Sequence, residues 1–194
     1  MNYSAWLEDG KKVPLVVDFD GTMHDADLNV LGFKWLGWRR FLVMVKLVGI
    51  WFLQGKAAMK LAFELLALAE GWAPNLVWHP VVLELMVKAV EQGRKVVVVT
   101  GSAQRLVEGI IRQNALPYAV VGTSDKRVNL VAEHKAAALV AKYGEQGFDY
   151  IGNSWDDVKV WKHARKAVVV GAGRRLRVAV LRVMVVEKVL FLDW

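Results

Sequence analysis

Residues 13–22 read VPLVVDFDGT, and the fold follows from this stretch. A short valine-rich run bounded by polar turn residues has the composition of a buried strand, and it ends in two aspartates two positions apart. Gly21 then permits a close backbone turn. Working outward, the same pattern recurs. KVVVVT (95–100), YAVVGTS (118–124), FDYIGNS (148–154) and KAVVVGA (166–172) are four further apolar runs with strand character. Between them lie stretches with helical spacing: VVLELMVKAVEQGRK (81–95), SAQRLVEGIIRQNA (102–115), HKAAALVAKYG (134–144) and the short WDDVKVWKHA (155–164). Strands that are apolar throughout and alternate with helices imply a parallel sheet covered on both faces. The expected fold is α/β, a doubly wound parallel sheet of Rossmann type.

Between the first two strands lies a leucine-rich helical stretch, 28–71, with Gly37, Gly49 and Gly55 as expected joints. It divides the chain into a core (1–27 and 72–173), a helical insert (28–71) and a basic apolar C-terminal segment (174–194). For that last segment, helix, added strand and membrane anchor all remain open. The whole is 194 residues, the size of one domain with room for a small insert. There are no cysteines, which excludes a disulfide scaffold, a thiol nucleophile and thiolate zinc sites. No basic start followed by an apolar run opens the chain, so a cytoplasmic location is the default expectation.

The net charge of +7 is unevenly placed. Residues 28–66 hold Lys34, Arg39, Arg40, Lys46, Lys56 and Lys60 against Glu64 alone, together with three tryptophans. Residues 171–194 hold Arg174, Arg175, Arg177, Arg182 and Lys188 against Glu187 and Asp193. The excess lies in greasy segments rather than polar arms, so nucleic acid is not expected and a peripheral anionic membrane surface fits better. The run FLVMVKLVGIWFL (41–53) is too short to span a bilayer and contains Lys46.

In open parallel sheets the ligand site lies beyond the carboxyl ends of the strands. The first strand ends in Asp18-Phe19-Asp20-Gly21-Thr22 and the second in Thr100-Gly101-Ser102. The fourth ends in Gly152-Asn153-Ser154, followed by Asp156 and Asp157, and Lys135 opens the helix before it. Carboxylates converging there repel one another unless a cation neutralises them, and a hard ion such as Mg²⁺, which takes carboxylates, waters and phosphate oxygens, suits that task. DFDGT alone is also compatible with an ordinary strand and turn. The ordered series with Thr100, Lys135 and Asp157 is what favours chemistry.

DFDGT, VVVVTGS, a lysine and GNSxxD, in this order over residues 13 to about 170, resemble the haloacid dehalogenase (HAD) superfamily of phosphatases. Residues 134–170 resemble, more narrowly, the HAD-like domains associated with UbiA-type prenyltransferases. The resemblance implies that Asp18 is the nucleophile forming an aspartyl-phosphate and that Asp20 is the general acid and base. It implies that Thr100 and the backbone near Gly21 and Gly101 hold the phosphoryl oxygens. Thr22 and Ser102 complete the substrate-binding set, and Lys135 balances charge. The implied Mg²⁺ ligands are Asp18, the carbonyl of Asp20, and Asn153 or Asp157. Relatives present aspartate where this chain has Asn153, which removes one negative charge from the metal site. Asp156 reads as a solvated neighbour. None of the four histidines has metal-ligand spacing, although His24 falls just after the loop, where it could touch substrate.

HAD proteins commonly carry a helical cap where the insert lies. A basic, tryptophan-bearing cap suits a prenyl or other lipid phosphate, or docks on a membrane-protein partner. Trp35, Trp38 and Trp51 read equally as core and as membrane contact, and Trp155 as cleft mouth or as packing beneath the motif. The leading expectation is a Mg²⁺-dependent phosphomonoesterase acting on a lipid-linked or membrane-proximal phosphate. A partner-binding module that has lost most chemistry and a soluble small-metabolite phosphatase are the alternatives.

Overall fold

A computed structural model describes residues 12–193. The polar start of the chain, residues 1–11, lies outside the described residues, as does Trp194. Six strands form one sheet: β1 (Leu15–Asp18), β2 (Val96–Ala103), β3 (Ala119–Thr123), β4 (Asp149–Gly152), β5 (Lys166–Val170) and β6 (Val189–Leu192). Their order is β3-β2-β1-β4-β5-β6, and every neighbouring pair is parallel. This is the doubly wound α/β fold expected from the apolar runs. The chain leaves β1 toward β2 on one side and reaches β4 on the other, so the crevice where the order reverses opens above the carboxyl end of β1.

Alternation along β1 sends Leu15 and Val17 into one core layer and Val16 into the other. The first layer is closed by α4 (Pro80–Glu91), α5 (Gln104–Gln113) and the insert, and the second by α6 (Ala132–Tyr143), α7 (Val158–Trp161) and α8 (Arg174–Val183). Pro80 sits in the first turn of α4, where its missing N–H costs nothing.

The insert contains α1 (Leu28–Leu36), α2 (Phe41–Gln54) and α3 (Lys56–Ala69). Asp27 starts α1 by accepting the N–H groups of Asn29 and Val30 at 2.7 and 3.3 Å. Gly37 and Gly55 do separate helices, each at positive φ. Gly49 does not: it lies inside α2, on a side with nothing within 4 Å, where the missing side chain leaves no hole in a core. Among the described residues no helix is long and apolar enough to cross a membrane.

The C-terminal segment resolves into α8 and β6. Arg177 secures it by donating to the carbonyl of Ala172 at 2.8 Å and pairing with Asp193. The alternation of arginine with valine and leucine that obscured this stretch in the sequence places Leu176 and Val180 inward and leaves Arg174, Arg175 and Arg182 outward.

Candidate active site

The strand ends meet above β1. Lys135, in the first turn of α6, donates to Asp18 Oδ1 at 2.6 Å across 117 residues of sequence, and its Nζ lies 3.6 Å from Asp157 Oδ1. Thr22 Oγ1 lies 3.1 Å from Asp18 Oδ2 and 3.2 Å from Asn153 Oδ1, so one hydroxyl joins the first and fourth strand ends. Gly21 lets the loop come this close: its φ is +73°, and a Cβ there would stand 2.5 Å from Asn153 Nδ2. Gly152 has the same function below Asp157, whose Cγ would be 2.7 Å from a Cβ.

Asp20 is held by three donors. The Leu28 N–H, at the start of the insert, reaches Oδ1 at 2.9 Å, and Thr100 Oγ1 and Ser102 Oγ reach Oδ2 at 3.2 and 2.8 Å. Thr100 Oγ1 also accepts the Ser102 N–H at 2.9 Å. The two hydroxyls expected at the phosphoryl oxygens and substrate are therefore aimed at Asp20. Thr100 and Thr22 are fully buried, while Gly101 and Ser102 reach the cleft surface.

Asp157 also arrives at the site, but its oxygens are engaged by protein donors. Tyr150 Oη donates to Oδ1 at 2.6 Å, and the N–H groups of Asn153 and Ser154 and the Ser154 hydroxyl approach Oδ2 at 3.1, 2.9 and 2.7 Å. This arrangement shapes the loop that presents Asn153. Asn153 Oδ1, a hard neutral oxygen one hydroxyl away from Asp18, is the better placed of the two to hold a cation.

Electrostatics mark the same place. Burial lifts the Asp18 carboxyl to about 7; Lys135 opposes the rise, and Asp157 and Asp20 add to it. Burial likewise raises Asp20, against its bonds from Leu28 and Ser102. For Lys135, burial favours the neutral amine, but the charges of Asp18 and Asp157 outweigh it and hold the ammonium above the ordinary lysine range. Tyr150 is raised well above the usual phenol range by burial and then by Asp157. The buried Asp18, the half-buried Asp20 and the neutral oxygen of Asn153 offer hard oxygen donors of the kind a divalent cation takes. Among the described residues no group of three or more His, Cys, Asp or Glu is arranged to hold a metal.

These groups open into a cleft of about 470 Å³ whose lining includes Asp18, Asp20, Ser102 and Lys135 from the core and Phe33, Trp51, Met59 and Lys60 from the insert. Asp156 lines it too, although its spacing suggested only a solvated neighbour. Lys60 and Glu64 entered the sequence reading only as charges of the insert, and Tyr150 only as part of an apolar strand. Glu64 Oε2 accepts the N–H groups of Arg105 and Leu106 at 2.9 and 3.3 Å, so the insert caps the N-terminus of α5. His24 is no substrate contact. It is buried against Phe19, with ring centroids 4.5 Å apart, its Nδ1 accepts the Ala26 N–H at 3.2 Å, and burial lowers it to about 4.

The tryptophans divide. Trp35 packs on Phe63 and Trp72, whereas Trp38 is 84% exposed. Trp38, Leu42, Val45 and Phe52 recur at helical spacing along one outer face of the insert; Leu42 is 74% and Phe52 79% exposed. Trp51, at the cleft, stacks on Phe52 at 5.6 Å. No Asp or Glu occurs between Asp27 and Glu64. Trp155 is exposed beside Arg174, Arg175 and Arg182, and it is Trp161 that packs beneath the motif, donating to the Tyr150 carbonyl at 3.3 Å.

Residues 15–162 match the haloacid dehalogenase-like hydrolase family. The chain belongs to that family. It is similar to the uncharacterized protein y4nM of Sinorhizobium fredii (strain NBRC 101917 / NGR234), 29% identical over 164 residues, which are 84% of this chain and 31% of the relative. The chain thus spans about a third of that protein's length. Among solved structures, a phosphoserine phosphatase in apo form superposes with a TM-score of 0.57 at 16% identity, covering 94% of this chain and 93% of the other. A phospho-aspartyl intermediate analogue of phosphoserine phosphatase gives 0.58 at 17%, with the same coverage. A protein of unknown function from Bordetella pertussis Tohama I gives 0.61 at 11%, covering 93% and 97%. At these identities the likeness is one of fold.

Proposed function

We propose that this HAD hydrolase is a phosphomonoesterase that works through an aspartyl-phosphate on Asp18, with Mg²⁺ as cofactor and a lipid-linked phosphate as substrate. The observation that carries the reading is the buried Asp18, 2.6 Å from Lys135 and joined through Thr22 to Asn153, at the floor of a cleft that also exposes Asp20.

In this reading an Asp18 oxygen attacks phosphorus, and the ester oxygen leaves with its electron pair. Asp20, whose carboxyl burial raises above its ordinary range, delivers the proton to that oxygen. The carboxylate so formed takes a proton from water, which attacks the aspartyl-phosphate, frees inorganic phosphate and restores Asp18. Lys135 steadies the negative charge of nucleophile and phosphoryl group. Thr100 and Ser102, whose hydroxyls donate to Asp20, position it in this reading. Asp18, the Asp20 carbonyl and Asn153 would hold Mg²⁺, which when bound neutralises phosphoryl oxygens and favours the ionised nucleophile. Asp157 positions the Asn153 loop.

Support for an apolar substrate comes from Phe33, Trp51 and Met59 in the cleft and from the acid-free, exposed face of the insert, whose basic residues suit an anionic bilayer surface. The likeness of residues 134–170 to domains that accompany prenyltransferases points the same way. A phosphatase screen pairing prenyl and sugar-lipid phosphates with soluble metabolites, run with Mg²⁺ and with chelator, tests the reading. Release of phosphate from the lipid set, lost on chelation, is expected. Turnover confined to soluble phosphates would overturn the substrate assignment, and no turnover of any phosphate would overturn the activity.

A further inference from the structure

Lys60 is a buried cation that the mechanism does not use. It belongs to α3 of the insert, and its Nζ donates to the Gly101 carbonyl at 2.6 Å and to Asn129 Oδ1 at 2.7 Å. Both acceptors are neutral, and among the described residues no carboxylate forms a salt bridge with it. Lys135 differs, because Asp18 and Asp157 compensate its charge. A buried ammonium with only neutral partners carries an uncompensated desolvation cost unless an anion joins it. Burial accordingly lowers its pKa, with Asp20 and Asp27 opposing. An ammonium has three N–H donors, and two are in use. Lys60 lines the cleft that holds Asp18, and Lys56, one turn earlier on the same helix, lines it as well.

We propose that Lys60, seconded by Lys56, binds a second anionic group of the substrate, adjoining the phosphoryl group that Asp18 attacks. The substrate class is then an amphiphile whose terminal phosphoryl is carried by another phosphate, with its apolar chain along Phe33, Met59 and Trp51. This rests on the aspartyl-phosphate reading above, with a phosphoanhydride in place of the ester as the bond that breaks. On such a diphosphate, the bond from terminal phosphorus to bridging oxygen breaks as Asp18 bonds to phosphorus. The bridging oxygen keeps the electron pair, takes the Asp20 proton and leaves as the alkyl monophosphate. Water then releases inorganic phosphate and returns a proton to Asp20. Lys60 touches the leaving phosphate and fixes specificity.

Geranyl diphosphate and geranyl monophosphate are the probes, with kcat and KM measured in Mg²⁺ on the whole chain. The wild-type protein is expected to favour the diphosphate by about tenfold or more in kcat/KM. Lys60→Met should bring the ratio close to one, chiefly through KM, and Lys60→Arg should restore part of it. A parallel calorimetric titration of Asp18→Asn, with and without Lys60→Met, reads the same preference as affinity without needing turnover. A preference in binding that depends on Lys60, with no phosphate released by the wild type, would defeat the phosphatase reading and leave the anion site standing. Equal affinities and equal kcat/KM for the two probes in the wild type, or a preference that survives Lys60→Met, would overturn the proposal. The wild-type comparison decides even if Lys60→Met fails to fold.

Discussion

Two buried carboxylates occupy opposite ends of the same sheet, and their surroundings differ. At the entry of β4, Asp149 is enclosed by Arg94 and Arg165, each with Nη2 at 2.7 Å from Oδ2, and Arg165 Nε adds a bond to Oδ1 at 2.9 Å. One negative charge meets two guanidinium groups, and Arg94 is tied further to the Val13 carbonyl at 3.0 Å. At the exit of β1, Asp18 shares a single ammonium with Asp157 and stands near Asp20; burial, opposed by Lys135 and aided by the neighbouring carboxylates, lifts its carboxyl to about 7. In the first cluster both carboxylate oxygens are paired from within the chain, at the end of the sheet away from the cleft. The second is left incomplete toward a cleft, the condition expected of a site that binds a cation and a phosphoryl group. Burial alone does not identify function; the balance of charge within the buried set does.

Substitutions should separate the two ends. Asp18→Asn is expected to reduce phosphate release by about 10⁴-fold or more, as loss of a nucleophile does, and to raise the thermal midpoint of the chelated protein by removing a desolvated carboxyl. Activity assays beside thermal melts would show both, and a destabilised Asp18→Asn protein would break the contrast. Asp149→Asn should do the reverse. Leaving the buried Arg94 guanidinium, and the half-buried Arg165 beside it, without their carboxylate costs about 3–5 kcal/mol, while turnover per folded molecule remains. Chemical denaturation coupled to an activity assay reads this. A metal titration sharpens the comparison next: Asn153→Asp should tighten Mg²⁺ binding about tenfold by restoring a full charge to the ligand set, and unchanged affinity would remove Asn153 from that set.

The last effect is one of pH. With chelator present, the raised Asp18 carboxyl binds a proton more tightly in the folded than in the unfolded chain. Its contribution is therefore fully present below about pH 4 and is lost as pH rises through about 7. His24, lowered to about 4, acts with the opposite sign, because the unfolded chain binds the proton more tightly and stability is gained toward pH 6.5. That term is common to the wild type and Asp18→Asn and cancels between them. The thermal midpoint of the wild type should fall relative to that of Asp18→Asn between pH 4 and 7, and parallel curves would contradict the shift assigned to Asp18.

The sheet was legible because fully buried parallel strands read as apolar runs, and each run ends where its chemistry begins. Asp18, Asp20 and Thr100 could be placed together since strand ends converge by topology, whereas Lys135, at a helix start, joined them only through its place in the motif series. Lys60 could not, because a lysine in a leucine-rich helix reads as a solvated residue until the fold carries that helix over the β2 exit. Tyr150 was hidden inside an apolar strand, where its hydroxyl registers as bulk rather than as the donor to Asp157. The orientations of Thr100 and Ser102 were likewise invisible, since residue type fixes what a hydroxyl can bond and not which neighbour takes it. In the insert, periodicity separated inner from outer faces only after the packing of α1 on α3 put Trp35 inside and left Trp38 outside. The last twenty residues stayed open because arginines at helical spacing suit a solvated helix and a membrane surface alike, and β6 is only four residues long.

The most direct test of the central claim is to quench the reacting protein in acid and map it by peptide mass spectrometry. The account predicts one phosphoryl group on the peptide that contains Asp18, formed during turnover and absent from Asp18→Asn. Steady phosphate release with no labelled peptide, a label on another residue, or full turnover by Asp18→Asn would contradict it.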